Sequence, residues 1–187
     1  MMLRKMLSFI SKDHRGFTLI EVMLVLALTG VIGNAIIMTI TTTIDTIGRS
    51  SNEVDTIAQA RNAELWIQKD GKMAQTISLG SPSSTGLPLT LTWYDWDSNE
   101  HQASYEIINN NLTRNYEMRN PNGAVTDSQT KVIAKHIVSG SPQTTCKIAG
   151  AGVKEGEIIF TVTIREGEGE QKGIATRSFE VKPRPRE

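Results

Sequence analysis

The strongest constraint on this chain is an apolar stretch near its N-terminus that is long enough to cross a membrane. It begins within Arg15-Gly16-Phe17-Thr18-Leu19-Ile20-Glu21 and ends near Ile40. At about 1.5 Å per residue, a helix over residues 17–40 would be about 36 Å long. This length exceeds the hydrocarbon core of a bilayer, so the segment can cross a membrane once.

The charges around this stretch predict its orientation. Basic residues dominate the segment before it: Arg4, Lys5, Lys12 and Arg15. Only Asp13 opposes them. Positive charge favours the cytoplasmic side, so we expect the short leader to stay in the cytoplasm and the rest of the chain to be translocated. Glu21 is costly in hydrocarbon, and an acid at such a position is a functional candidate by default.

This block resembles the class III signal of type IV prepilins and pseudopilins. The matching features are a basic leader over residues 1–16, Gly16 at its end, Phe17 as the mature N-terminus, and Thr18-Leu19-Ile20-Glu21 before an apolar helix. The resemblance implies that prepilin peptidase cuts between Gly16 and Phe17 and that the new amine of Phe17 is N-methylated. It also implies that residues 17–40 serve first as a membrane anchor and later as the filament core, where they contact other pilins or pseudopilins.

Two other interpretations of the segment remain open. An ordinary secretory signal would be cut after its apolar core at a small residue such as Ala35, although such cores are normally shorter. A plain single-span anchor would need a chance match at Gly16-Phe17-Thr18. In either case the chain would not be processed at Gly16.

Glu21 lies one helical turn from the amine that cleavage would create on Phe17. Opposite charges attract strongly in low dielectric, and a lone buried charge costs several kcal/mol. We therefore expect Glu21 to set the register of assembly by pairing with an amine in its own chain or in a neighbour. The alternative is an unpartnered acid that reaches toward the membrane interface.

Small residues interrupt the apolar stretch at Thr29, Gly30, Gly33 and Asn34. Pairs of small residues four positions apart let helices approach closely in lipid, although glycine is also common in membrane helices for no special reason. The first proline is Pro82. We therefore predict a continuous helix, with Gly30 and Gly33 as its only soft point.

The helix is predicted to continue to about residue 78, with an amphipathic half over residues 41–79. Apolar residues recur at helical spacing in this half: Val54, Ile57, Ala58, Leu65, Trp66, Met73 and Ile77. We expect this stripe to lie against the sheet that follows. The glycine- and serine-rich segment from Gly80 to Gly86 then ends the helix.

Residues 80–187 are predicted to form an antiparallel β-sheet. The expected strands are Leu87–Tyr94, Gln102–Ile108, Leu112–Met118, Lys131–Val138, Glu157–Arg165 and Ile174–Val181. Asn109-Asn110-Asn111 is a good tight turn because asparagine tolerates positive φ. The expected fold class is thus α+β and pilin-like, with one long N-terminal helix packed on an antiparallel sheet. The strand succession also resembles the large minor pseudopilins of the J type.

One segment nearly matches a calcium-binding loop. Asp95, Asp97 and Asn99 have the spacing of EF-hand ligands, and Glu106 lies eleven residues after Asp95. The position that needs glycine is Glu100, and no helices are predicted on either side. We therefore favour a polar hairpin turn with solvated acids and expect no metal ion, with these four residues as the calcium alternative.

The rest of the sequence excludes several functional classes. The formal net charge is zero, so no global field favours nucleic acid. Cys146 is the single cysteine and is expected to be a buried or partly buried thiol, with no histidine at a spacing that would make it a nucleophile. No catalytic motif or cofactor site is predicted, so we do not expect an enzyme.

The expected function is that of a minor pseudopilin or minor pilin that initiates or caps a filament of a type II secretion or type IV pilus-like system. The alternative is a pilin-anchored binding subunit for adhesion or DNA uptake. A basic aromatic groove would favour DNA uptake, and the sequence shows only Lys182, Arg184 and Arg186 on the tail.

Overall fold

The structure is a computed structural model that describes residues 17–80, 85–138, 143–148, 157–169 and 172–184. These residues form one helix, α1 (Leu19–Met73), and eight strands. The strands are β1 (Thr76–Leu79), β2 (Leu89–Tyr94), β3 (Glu100–Ile108), β4 (Asn111–Arg119), β5 (Val125–Ala134), β6 (Thr145–Ile148), β7 (Ile158–Glu166) and β8 (Gly173–Val181). The leader, with Gly16, lies outside the described residues.

The strands form two antiparallel sheets, and both are meanders. The first sheet has the order β1-β2-β3-β4-β5, and the second has the order β6-β7-β8. The predicted α+β class, with one long N-terminal helix packed against antiparallel sheet, is confirmed. The division into two sheets was not predicted. The link after β5 lies along β7, where Ile137 forms an isolated bridge with Ile164.

The turn between β3 and β4 confirms the predicted role of asparagine. Ile108 pairs with Asn111, which leaves Asn109 and Asn110 as a two-residue loop. Their φ angles are 49° and 61°. Two consecutive positive φ values are typical of a type I′ turn, whose twist matches that of the flanking strands.

The predicted bounds of the strand that follows β4 are wrong, although its first four residues do lie in β5. The sequence favoured Lys131–Val138, whereas β5 covers Val125–Ala134. The first eight residues of β5 are exposed or half-buried because β5 is at the edge of its sheet. Such a strand has little apolar alternation, so its pairing with β4 is not visible in the pattern. The short strands β1 and β6, with four residues each, were also missed.

The helix ends earlier than predicted. It was expected to reach residue 78, but α1 ends at Met73. Thr76 and Ile77 belong instead to β1, where Ile77 pairs with Leu91 of β2. Both residues are β-branched and suit a strand better than a helix. The segment predicted as the amphipathic half of the helix, residues 41–79, therefore contains the last part of α1 and the whole of β1.

Contacts divide the chain into two units, one up to Ile44 and one over Asp45–Glu187. In the first unit, the described residues are helical from Leu19 and almost entirely exposed. In the second unit, the helix packs on the strands around a core that includes Phe160 of β7 and Phe179 of β8. These two rings stack with centroids 5.5 Å apart.

The helix face that packs on the strands matches the predicted stripe only in part: Trp66, and Ile77 in β1, pack against the core, as expected. Val54, Ile57 and Leu65 are between 49% and 62% exposed. The buried residues are mainly small or polar, at spacings of three and four: Thr56, Ala60, Ala63, Ile67, Asp70 and Gly71. The prediction was wrong for Val54, Ile57 and Leu65 because it ranked helix positions by side-chain hydrophobicity, whereas close approach to the strands favours small side chains at most of the contact positions.

Two glycines show how closely the helix approaches β8. A Cβ added to Gly71 of α1 would collide with the side chain of Val181. A Cβ added to Gly173 of β8 would lie 2.6 Å from backbone atoms of Asn52. Real Cβ atoms do not approach other atoms this closely, so a larger residue at either position would displace the helix from the sheet.

On the side toward β5, amide side chains of the helix bond to the strand backbone. Gln59 Oε1 accepts the N–H of Lys135 at 2.7 Å. Asn62 Nδ2 donates to the carbonyl of Ile133 at 2.7 Å. These bonds connect the helix to backbone groups at the C-terminal end of the edge strand β5 and just beyond it.

Candidate functional site

The N-terminal segment carries the residues that the sequence singled out, and the structure adds Thr18 to them. Thr18 Oγ1 accepts the N–H of Glu21 at 3.3 Å, and the Thr18 carbonyl accepts it at 3.0 Å. Thr18 is therefore the N-cap of α1, and Glu21 is its N3 residue. The pattern Thr-x-x-Glu before an apolar run is the signature of a capping box, so the signal was present in the sequence although the cap was not predicted from it.

This geometry places the candidate cleavage and pairing residues at the start of the helix. Phe17 precedes the N-cap and is 80% exposed. Glu21 lies in the first turn of α1 and is also exposed. A carboxylate in the first turn is favoured by the helix dipole. Gly16, and with it the candidate cleavage site, lies outside the described residues.

The apolar half of α1 meets the requirements of a membrane span by length and composition. Its most apolar 18-residue window has a mean hydropathy of 2.2, and none of that window is buried. Among the described residues it is the one helix that passes this test. The helix is continuous through Gly30 and Gly33, as predicted, and a Cβ at either would meet nothing within 4 Å.

Threonine hydroxyls in this half are bonded within the helix. Thr29 Oγ1 donates to the Val25 carbonyl at 2.8 Å. Thr39 Oγ1 donates to the Ala35 carbonyl at 2.8 Å. Since hydrocarbon offers no hydrogen-bond partner, this internal bonding lets hydroxyls enter an apolar environment at low cost.

The structure does not bring the four calcium candidates together. Asp95 Oδ1 accepts the N–H groups of Asp97 and Asn99, both at 2.9 Å. Asp95 Oδ2 accepts from Asn99 Nδ2 at 2.9 Å and lies 3.1 Å from His101 Nε2. These bonds, above all that from Asn99, lower the pKa of Asp95 to about 2. The carboxylate is therefore used to fold the turn.

Glu106 lies six residues along β3 from Glu100, which is about 20 Å at about 3.3 Å per residue. Its side chain accepts a hydrogen bond from Asn115 of β4. The structure therefore separates Glu106 from the other three candidates of the calcium alternative. Within the described residues, no group of three or more His, Cys, Asp or Glu side chains could hold a metal ion.

A buried ion pair joins the helix to the first sheet, and it was not predicted from the sequence. Arg114 of β4 donates to Asp70 of α1 through Nε, at 2.6 Å, and through Nη2, at 3.2 Å. Tyr105 of β3 donates to Asp70 Oδ2 at 2.5 Å. The side chain of Asp70 is 1% exposed and that of Arg114 is 9% exposed. Burial and the adjacent Asp70 charge raise the pKa of Tyr105 well above its usual value.

Arg114 also belongs to a group of cations around Trp66. Its guanidinium carbon lies 5.1 Å from the Trp66 ring centroid and 4.9 Å from that of Tyr116. The ammonium groups of Lys131 and Lys69 lie 4.4 Å and 5.3 Å from the Trp66 centroid. Cations at these distances are attracted by the ring quadrupole. The group strengthens the contact between α1 and the sheet beside the ion pair.

Toward the β2–β3 hairpin, the same sheet face continues as an aromatic cluster. His101 stacks on Trp93 with centroids 5.4 Å apart and planes 4° apart. His101 Nδ1 lies 2.7 Å from the hydroxyl of Tyr116, and Nε2 faces Asp95. The histidine thus connects the hairpin turn to the core of the sheet.

Cys146 of β6 is a buried free thiol, as expected. Desolvation raises its pKa to about 12, so it is protonated at neutral pH. Nucleophilic cysteines need the thiolate, which this site disfavours. The environment of Cys146 is therefore that of a packing residue.

Comparison with known proteins identifies the N-terminal block. A family model described as the prokaryotic N-terminal methylation motif matches residues 11–33. The match covers the end of the leader, the candidate cleavage position and the apolar stretch as far as Gly33. No curated protein and no solved structure shows significant similarity to this chain.

Proposed function

We propose that this chain, which carries the N-terminal methylation motif of type IV prepilins and pseudopilins, is a structural minor pseudopilin or minor pilin. Prepilin peptidase removes residues 1–16, and Phe17 becomes the methylated N-terminus. The apolar half of α1 holds the subunit in the cytoplasmic membrane as a single-pass anchor, with residues from Asp45 onward outside the cytoplasm. The subunit then enters a filament by contacts with other pilins or pseudopilins, where it initiates or caps assembly.

The observation that carries this proposal is the combination of the matched motif with an exposed apolar helix. The window with mean hydropathy 2.2 has no buried residue, so its apolar surface needs lipid or other helices as a partner. An enzyme with this anchor would need a catalytic group in addition. The described titratable groups with shifted pKa values take part in folding contacts, as Asp95, Tyr105 and Cys146 do.

A binding role in DNA uptake is the alternative function. Lys69 and Lys131 are exposed cations beside an aromatic ring, which such a role requires. However, Trp66 is already contacted by three cations of its own chain, and stacking of a base needs a free ring face. The structural role is therefore the better supported of the two.

The first test is the mass of the mature N-terminus in the membrane fraction. We expect a chain that begins at methylated Phe17. Gly16→Val should block processing, because a branched side chain crowds the scissile bond. A mature chain that begins at Met1, or at a residue beyond Ala35, would overturn the proposal.

The second test concerns Glu21. Glu21→Ala should leave cleavage nearly intact, because the carboxylate lies beyond the scissile bond, and should reduce incorporation into the filament. Glu21→Gln keeps the shape and one acceptor oxygen without the charge. If pairing with the Phe17 amine is ionic, Gln should be nearly as defective as Ala. Equal helix–helix crosslinking in wild type, Ala and Gln would show that Glu21 does not set register.

A further inference from the structure

The most exposed large apolar side chain among the described residues is Trp96, at the tip of the β2–β3 hairpin. Its relative exposure is 99%. An indole offers about 150–250 Å² of surface for burial, and tryptophan is enriched among the residues that dominate binding energy at protein interfaces. The other two tryptophans of the chain serve the fold: Trp93 is in the core, and Trp66 is partly buried against it.

The turn that carries Trp96 is held in one conformation. The Asp95 carboxylate accepts hydrogen bonds from both backbone and side chain of Asn99 and from the N–H of Asp97. The Ser98 N–H donates to the Asp95 carbonyl at 3.2 Å, which closes a turn around Trp96. A ring on a pre-ordered loop loses little conformational freedom when it binds, because tryptophan has only two side-chain torsions.

The charge around Trp96 is negative. The segment from Asp95 to Glu100 holds three acids and no lysine or arginine. Asp97 and Glu100 have no ion pair among the described residues, and Asp95 faces His101. Arg119 of β4 lies opposite Glu100 of β3, but its guanidinium forms an ion pair with Glu117. A protein surface that binds this tip therefore has to be electrostatically compatible with the carboxylates of Asp97 and Glu100, and in part with that of Asp95.

We infer that the β2–β3 tip is a docking element for another protein. The partner surface has an apolar pocket that takes the Trp96 indole and a rim of lysine or arginine side chains that faces Asp97 and Glu100. Opposite charge at the rim of a contact guides docking and sets its register, while the buried aromatic supplies most of the affinity. An anionic membrane surface is disfavoured as the partner because the same acids would be repelled by it.

The inference is independent of the function proposed for the N-terminal segment, and the experiment keeps the two apart. A photo-crosslinking amino acid replaces Trp96 in the full-length chain, expressed in its native membrane with its own assembly machinery. The matched control carries the same amino acid at Ile174 of β8, an apolar residue of the second sheet that is 47% exposed. The N-terminal mass of the same chain is measured in parallel.

We expect a discrete protein adduct from position 96 and none from position 174. The adducted peptide should come from a partner surface that contains lysine or arginine. The double charge reversal Asp97→Lys with Glu100→Lys should lower the yield at least tenfold. Without the crosslinker, Trp96→Ala should lower co-isolation of that partner at least tenfold, whereas Trp96→Phe should retain most of it.

Three results would overturn the inference: no adduct, an adduct with lipid, or a protein adduct whose yield is unchanged by charge reversal. Because Trp96 is almost fully exposed, Trp96→Ala should leave the thermal unfolding midpoint unchanged, so a lost interaction cannot be attributed to unfolding. A chain that begins at Phe17 but gives no adduct would leave the proposed filament function standing and reject the docking tip alone.

Discussion

The buried ion pair between Asp70 and Arg114 allows a sharp test of what holds α1 on the first sheet. Arg114→Met removes the guanidinium and leaves the Asp70 carboxylate, 1% exposed, with only the hydrogen bond from Tyr105. Removal of one partner of a buried pair typically lowers the free energy of unfolding by about 3–5 kcal/mol. For a unit of this size, this corresponds to a lower midpoint of thermal unfolding by about 10–15 °C.

The measurement is urea and thermal unfolding of a fragment that begins at Asp45, the start of the second unit. This fragment lacks the exposed apolar half of α1, so we expect it to be soluble and to show both helix and strand signals in circular dichroism. Arg177→Met is the matched control, since Arg177 pairs with Glu64 but its side chain is 46% exposed. Exposed pairs contribute about 0–1 kcal/mol, so the control should lose little.

A second variant tests the cause of the loss. In Asp70→Leu with Arg114→Met, no buried charge remains, so most of the lost stability should return even though Tyr105 loses its acceptor. Two results would refute the reasoning. The first is a loss of unfolding free energy of less than about 1 kcal/mol in Arg114→Met, several times smaller than expected for a buried pair. The second is a double variant that is as unstable as Arg114→Met alone.

The same fragment allows three further predictions. The pKa of Asp95 is about 2 in the folded protein, below its ordinary 3.8, so its charge stabilises the fold above pH 4 and this contribution is lost as pH falls from 4 to 2. The difference in urea midpoint between wild type and Asp95→Asn should therefore shrink between pH 4 and pH 2. A difference that stays constant down to pH 2 would contradict this role of Asp95. Cys146, with a pKa of about 12, should react with a thiol reagent at pH 8 only after denaturant is added. Fast reaction of the folded fragment would contradict this, because it would show that the thiol is accessible. Gly71→Ala should lower the free energy of unfolding by about 1–3 kcal/mol, because overpacking against Val181 outweighs the better helix propensity of alanine. The control is Lys72→Ala at the exposed neighbouring position, which should change the free energy of unfolding by less than about 0.5 kcal/mol.

The local features of this protein were readable from its sequence. The apolar stretch to Ile40, the basic leader and the Gly16-Phe17 junction are contiguous, and their chemistry depends on composition and order alone. The positive φ angles of Asn109 and Asn110 likewise follow from what asparagine tolerates. Even the overlooked cap at Thr18 depends on a spacing of three residues, so it was present in the sequence.

Only the tertiary structure decided which surfaces meet. Asp70 and Arg114 are 44 positions apart, and nothing near either residue in the sequence marks the other as its partner. The buried face of α1 consists mainly of small or polar residues, while the larger Val54 and Leu65 are left exposed. The separation of Glu106 from Asp95 likewise depends on the length of β3. Periodicity and motif spacing describe contacts along the chain, whereas these features depend on contacts between distant segments, which form only when the chain is folded.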